Sequence, residues 1–513
     1  MLTRTRTAAF FGIEGIVVTV EIDSDRGLPA FNVIGLGDTA VKEAADRVKS
    51  AVLNSGFTYP KGKIIVNLSP AWVHKKGSHY DLAMAVGLLA AQGSIRGLQG
   101  EAADKKAFIG ELALDGRVMP VKGILPMVKG LAHKVEEVYL PRASCAEAAP
   151  AAAASGLGIV PVDNLRQLAD ILNQDVSKES YEPGEPTEGC EPPPLDFADV
   201  KGHWAAKEAI VTAVAGGHGL LLIGSPGTGK SMLAKRIPGI LPPMNAEEQL
   251  ETSMLYSLVG RLNEDMPVIR QRPFRQINKR ATPASILGGG HQPIPGEISL
   301  AHNGILFMDE FLEFSREQIE LLRLPIEEGK ISIMRRGNAY VFPSRFTLIA
   351  ATNPCKCGYL GDKEKPCRCT AAEIERYRGR LSGPIAERID MCAEIQRVDY
   401  GELTGASSAS SEEMRQRVMA AREIQERRFA SESISLNSRM EEAQIKKYCV
   451  LSAEAEEFMK KVYRSRQLSP RRYHKILKIA RTIADLRADE QIGISHLSAA
   501  LGYTGFLNGD RKE

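Results

Sequence analysis

The segment Gly224-Ser225-Pro226-Gly227-Thr228-Gly229-Lys230-Ser231 carries the spacing G-x-x-x-x-G-K-S, between the apolar run "LLLI" and the helix-forming run "MLAKRI". A strand, a glycine loop and a helix in that order let backbone N–H groups close around phosphate oxygens. Lys230 then reaches the outer phosphates, and the Ser231 hydroxyl can ligate Mg²⁺. The N-terminus of the following helix adds partial positive charge. ATP and Mg²⁺ are therefore the expected cofactors. Further on, "GILFMDEF" ends an apolar strand in Asp309 and Glu310. Asp309 stands where a carboxylate would hold Mg²⁺, and Glu310 where one would polarise the attacking water. "FTLIAATNP" ends another such strand in Asn353, placed to orient that water or touch the γ-phosphate.

Two arginines could complete the reaction. Arg388 lies between apolar positions in "GPIAERIDM", and Arg471 opens a helix in "LSPRRYHKIL". Either could equally be a solvated helix-end charge. An arginine supplied to a γ-phosphate is worth roughly 10³–10⁵ in rate in other systems.

Two further clusters are chemically suggestive. "CKCGYLGDKEKPCRC" groups Cys355, Cys357, Cys367 and Cys369. Four thiolates on a short loop could close around Zn²⁺, although C-x-C is tighter than the usual C-x₂-C. The alternatives are four reduced thiols or a redox pair within each C-x-C. "ISIMRRGNAYVF" reads as a hairpin turning at Gly337-Asn338, with Arg335 and Arg336 at its tip. Such a tip could grip nucleic-acid phosphates without regard to sequence.

The elements that must position these groups fall into a multidomain α/β and α+β pattern. The chain has 513 residues, 43% hydrophobic and 25% charged, with 66 basic against 63 acidic side chains. A net charge of +3 excludes a polycation, so any nucleic-acid surface must be local. Residues 1–172 are expected to form one domain. A Pro/Glu/Gly-rich linker follows over 173–196, then an α/β ATPase domain over 197–400. The Ser/Ala-rich stretch "TGASSASSEE" precedes a helical domain over 408–507. "LAMAVGLLAA" is too short to span a bilayer and reads as a buried helix. "IVVTVEI", near the start, reads as a strand rather than a signal segment. A cytoplasmic protein with no membrane partner is expected.

These motifs together resemble an AAA+ ATPase. "RPFR", "GGGHQPIPGEISLAHNGILFMDEF", "ATNPCKCGYLGD" and "ARTIADL" closely resemble the magnesium-chelatase-like ATPases of the YifB/ComM family, over residues 1 to about 507. One departure is "QINKRATP", where the family usually has Pro-His-His after "RPFR". The central domain is also similar to MCM helicases. That likeness assigns Arg335 to a channel-facing hairpin, Arg388 to a finger acting on the neighbouring subunit, and Arg471 (or Arg472) to the sensor-2 helix. The resemblance implies a hexameric ring that acts on single-stranded or branched DNA, with helicase or branch-migration activity of the natural-transformation type. A protein remodeller or chelatase-like ATPase is the alternative.

"KKGSHYDLAMAVGLLAA" and "GELALDGRVMPVKGILPMVKG" resemble the S5-domain-2-like fold of the Lon protease domain. There the serine of the Ser/Lys dyad aligns with His79 and the lysine with Leu125, which implies no peptidase activity. A register shift of one would instead pair Ser78 with Lys122 or Lys129. A Lon-like ATP-dependent protease is thus the least favoured reading.

Overall fold

The computed structural model describes residues 2–504, apart from 26, 99, 183, 185–194, 292, 336, 363, 382, 399–400 and 402–408. The chain divides into two compact units. One comprises Met1–Glu191, Asn245–Arg270 and Met334–Phe342; the other comprises Pro192–Met244, Gln271–Ile333 and Pro343–Glu513.

The first unit is built on a seven-stranded mixed sheet in the order Ala30–Ile34, Lys63–Ser69, Glu14–Asp25, Leu2–Phe11, Lys106–Phe108, Glu137–Pro141 and Gly158–Val162. Glu14–Asp25 runs antiparallel to both of its neighbours. The Asp81–Ala91 helix is apolar all round and lies buried against the sheet, as its composition requires. Phe11 meets Tyr340 in a tilted ring contact, with centroids 4.1 Å apart, so Met334–Phe342 packs as part of this unit. The Ala246–Leu258 helix belongs here too: the Ser257 hydroxyl donates to Glu147 at 2.5 Å and accepts from the Leu125 amide at 3.3 Å.

The second unit holds a five-stranded sheet whose strands are all parallel. They are β1 (Leu220–Gly224), β2 (Phe274–Ile277), β3 (Ile305–Met308), β4 (Thr347–Thr352) and β5 (Met391–Ile395), in the spatial order β2-β3-β4-β1-β5. A parallel sheet is covered on both faces, which is why β1, β3 and β4 read as unbroken apolar runs. Helices follow at Ser411–Arg428, Glu442–Tyr448, Ala453–Ser465, Pro470–Leu486 and Ile494–Gly502. Ser410, Ser452 and Ser469 cap three of them by accepting first-turn amides. Among the described residues no helix is long and apolar enough to cross a membrane.

Two local expectations shift. The hairpin strands are Lys330–Arg335 and Asn338–Pro343, so Asn338 opens the second strand rather than sharing a turn with Gly337, which has φ +79°. Residues 183 and 185–194 of the expected linker lie outside the described residues, and its start is tied down. Glu179 pairs with Arg142 at 2.9 Å, Lys178 pairs with Glu137, and the Tyr181 amide donates to Ile159.

Candidate nucleotide-binding site

The parallel register brings three sequence motifs to one edge of the sheet. β4 lies between β1 and β3, and Ile223 is level with Thr352. Asn353 therefore emerges between the glycine loop and the Asp309–Glu310 pair. Lys230 donates to Asn353 Oδ1 at 3.2 Å, and to the carbonyls of Gly224 at 2.7 Å and Ser225 at 2.8 Å. Burial pushes its ammonium below the ordinary value, while Asp309 pushes it back. The Ser231 hydroxyl donates to Asp309 Oδ2 at 2.7 Å. A hydroxyl and a carboxylate in contact are the pair that would share Mg²⁺, so the donor set fits that ion. Gly227 and Gly229 have φ +80° and +84°, a region side chains resist, which leaves the loop's amides free to line a phosphate. Thr228 closes the loop by donating to the Ser225 carbonyl at 2.9 Å, and Pro226 lies under Gly358.

Glu310 has a left-handed backbone (φ +53°) just beyond β3, and its carboxylate pairs with Lys279 at 2.6 Å. Ile277 of β2 is level with Met308 of β3, so two residues on, Lys279 stands beside Glu310. Lys279 belongs to the segment that departs from the family pattern, and its role was not read from the sequence. The signal that could have found it is this parallel register.

Arg388 and Arg471 are not brought to this edge. The carbonyl of Arg388 lies beside Gly219, before β1, whereas the glycine loop follows β1. Five strand residues separate the two ends, about 16 Å, more than an arginine side chain spans. Arg388 pairs with Glu327, and burial holds its guanidinium below its ordinary value. Arg471 pairs with Glu387 at 2.5 Å, and Lys475 on the same helix donates to the Ile389 carbonyl at 2.7 Å. Both arginines thus occupy the edge opposite the chain's own glycine loop. Arg472 is exposed, with its amide capped by Ser469.

Cys355, Cys357, Cys367 and Cys369 converge, with all four sulfurs within 4.8 Å of one another. Amides of Tyr359 and Arg368 donate to the Cys357 sulfur and draw its thiol down to about 6. Arg335 is exposed at the end of its strand; Arg336 lies outside the described residues. In the first unit His79 is buried, and desolvation pushes its imidazole down to about 3. The Ser78 hydroxyl donates to Glu111, Leu125 is buried, and Lys122 and Lys129 are exposed.

Residues 196–403 match the model described as magnesium chelatase, subunit ChlI; residues 20–144 match subunit ChlI of Mg-chelatase, and 408–504 the ChlI C-terminal model. The chain is 39% identical over 509 residues to the uncharacterized protein YifB of Salmonella typhimurium, covering 98% of this chain and 97% of that one. It is 38% identical over 509 residues to the competence protein ComM of Haemophilus influenzae, covering 97% and 96% respectively. The chain belongs to the YifB/ComM family of magnesium-chelatase-like ATPases. A magnesium-chelatase 67 kDa subunit of Heliobacterium mobile is 26% identical over 195 residues, a third of this chain. Membership of the family implies use of ATP and Mg²⁺, which the contacts of Lys230, Ser231 and Asp309 accommodate.

Proposed function

We propose that this chain is a ring-forming, ATP-driven DNA motor of the cytoplasm, acting as a helicase or branch-migration engine on recombination intermediates. The observation that carries the reading is the split placement of the catalytic groups. Lys230, Ser231, Asp309, Glu310 and Asn353 gather at one edge of the sheet, while Arg388 and Arg471 stand at the other. Such a protomer completes the γ-phosphate site of its neighbour, and a head-to-tail contact that closes on itself makes a ring, here a hexamer. When bound, ATP supplies the phosphoryl group and Mg²⁺ the charge neutralisation. Lys230 binds the phosphates, Asn353 and Glu310 orient and polarise water, and the neighbour's Arg388 and Arg471 meet the charge that develops. The same reading places Zn²⁺ at the four cysteines. The N-terminal domain is an S5-domain-2 type scaffold without peptidase chemistry, since the Ser78 hydroxyl is engaged by Glu111 rather than by a lysine.

DNA as the substrate is supported by the exposed Arg335 at the hairpin end and by the competence name of a relative of almost equal length. Phosphate contact by Arg335 and Arg336 gives a sequence-independent, salt-sensitive grip. Met334, 64% exposed beside Arg335, is the one feature that favours a remodeller of polypeptides. ATP turnover measured with single-stranded DNA, branched DNA and casein separates the two. The expected result is stimulation by DNA alone, lost in Arg335→Ala/Arg336→Ala with basal turnover intact. Stimulation by casein, or normal unwinding by the double variant, overturns the reading.

A further inference from the structure

The cysteine loop does more than follow Asn353 in sequence. Its sulfurs lie 3.4 Å (Cys355–Cys357), 3.5 Å (Cys357–Cys367) and 3.6 Å (Cys355–Cys367) apart. Tetrahedral zinc–thiolate bonds of about 2.3 Å put sulfurs about 3.8 Å apart, whereas a disulfide needs about 2.05 Å. The separations are those of one four-sulfur shell rather than of two bonded pairs. Backbone amides support the sulfurs as they support thiolates. Tyr359 and Arg368 donate to Cys357, Cys369 donates to Cys367 at 3.4 Å, and Cys357 donates to Cys369. Among the described residues from 356 to 368 only Gly358 is buried, so the loop has no apolar core to hold its shape. A metal is the cross-link that can order such a segment.

The same loop lies against the nucleotide loop. A Cβ on Gly358, which has φ +87°, would fall 2.6 Å from Pro226 Cδ, so the Gly358 backbone lies closely against the Pro226 ring. The side chain of Asp362 is only 2% exposed. It accepts from the Ser225 hydroxyl and from the amides of Glu364 and Lys365, both at 3.0 Å, and pairs with Arg397 at 3.4 Å. Thus Ser225 and Pro226, the second and third residues of the phosphate loop, rest on the segment that the cysteines close.

We propose that Zn²⁺ held by Cys355, Cys357, Cys367 and Cys369 clamps the Gly224–Ser231 loop in its phosphate-binding shape, so that metal occupancy sets the affinity for ATP. This rests on the reading of the chain as an ATPase. The metal performs no step of hydrolysis; it acts through Gly358 on Pro226 and through Asp362 on Ser225.

The test uses the full-length protein. Elemental analysis is expected to give about one zinc per chain. Removal by a strong chelator is expected to weaken binding of a fluorescent ATP analogue by about tenfold or more, and added Zn²⁺ to restore it. Asp362→Ala keeps every cysteine. It is expected to retain zinc yet bind the analogue several-fold more weakly, because the link to Ser225 is cut. Zinc well below one equivalent in folded protein overturns the proposal, as does unchanged affinity after removal or in Asp362→Ala. Lys230→Ala, expected to keep zinc and lose the analogue, reads the ATP site separately. If zinc-loaded wild type binds no analogue, the ATPase reading falls and the clamp with it; zinc content alone distinguishes that failure from absence of the metal.

Discussion

Glu310 and Lys279 show how much depends on a single side chain. The carboxylate that should polarise water is 52% exposed and is taken up by a lysine equally exposed. Such a surface pair is worth about 0.2–1 kcal/mol, enough to bias the carboxylate and too little to lock it. Lys279→Ala is therefore expected to raise basal ATP turnover, by no more than about fivefold, with unchanged nucleotide affinity; a steady-state assay reads both. Glu310→Gln keeps the shape and removes the base. It should bind ATP normally and lose turnover by about 10² or more, as single-turnover kinetics would report. At this scale much was legible in the sequence, because the glycine loop, Asp309, Glu310 and Asn353 each end an apolar run, and a strand end is visible in one dimension. Lys279 was not, because its meaning depends on which strand lies beside which. That neighbour relation joins residues far apart in the chain.

At the scale of elements, strand order is what makes the site. With β4 inserted between β1 and β3, the Asn353 side chain meets Lys230; with β2 outermost, Lys279 meets Glu310. The helical region is tied to the opposite edge by a buried polar network. Arg428 donates to Asp485 at 2.7 Å and Arg481 at 3.0 Å, Asn437 links Asp485 to Thr482, and Thr482 meets His218 at 2.8 Å. His218 lies 3.4 Å from Asp390, two residues beyond Arg388. Asp485→Ala removes the carboxylate that pairs with the buried Arg481 and the partly buried Arg428, and breaking a buried ion pair on one side costs about 3–5 kcal/mol. The expected outcome is a clear drop in the urea midpoint with the slope unchanged; a midpoint within error of wild type would show that the network is dispensable. The helices themselves were readable from capping serines and periodicity. The hairpin was readable as a hairpin, but Asn338, expected in its turn, opens the second strand.

At the scale of the whole molecule, the sequence suggests separate N-terminal, nucleotide-binding and helical parts, whereas the structure groups the latter two in one compact unit. The sequence does not show that 245–270 and 334–342 pack with the N-terminal residues. The tilted ring contact of Phe11 with Tyr340 and the Glu147–Ser257 hydrogen bond join residues more than a hundred positions apart, and neither leaves a local pattern. The resemblance already gave Arg388 and Arg471 roles, and their placement in three dimensions adds a physical reason for them. By residue type and spacing alone Arg388 and Arg471 read as solvated helix ends; at the sheet edge opposite the glycine loop they fit the proposed role at a neighbouring protomer's site. The most direct measurement is ATP turnover by a mixture of two variants, Lys230→Ala and Arg388→Ala, each inactive alone. In a randomly mixed ring about one site in four pairs an intact loop with an intact arginine, so turnover should recover to about a quarter of the wild-type rate per chain. No recovery, or full activity of Arg388→Ala by itself, would contradict a site shared between protomers.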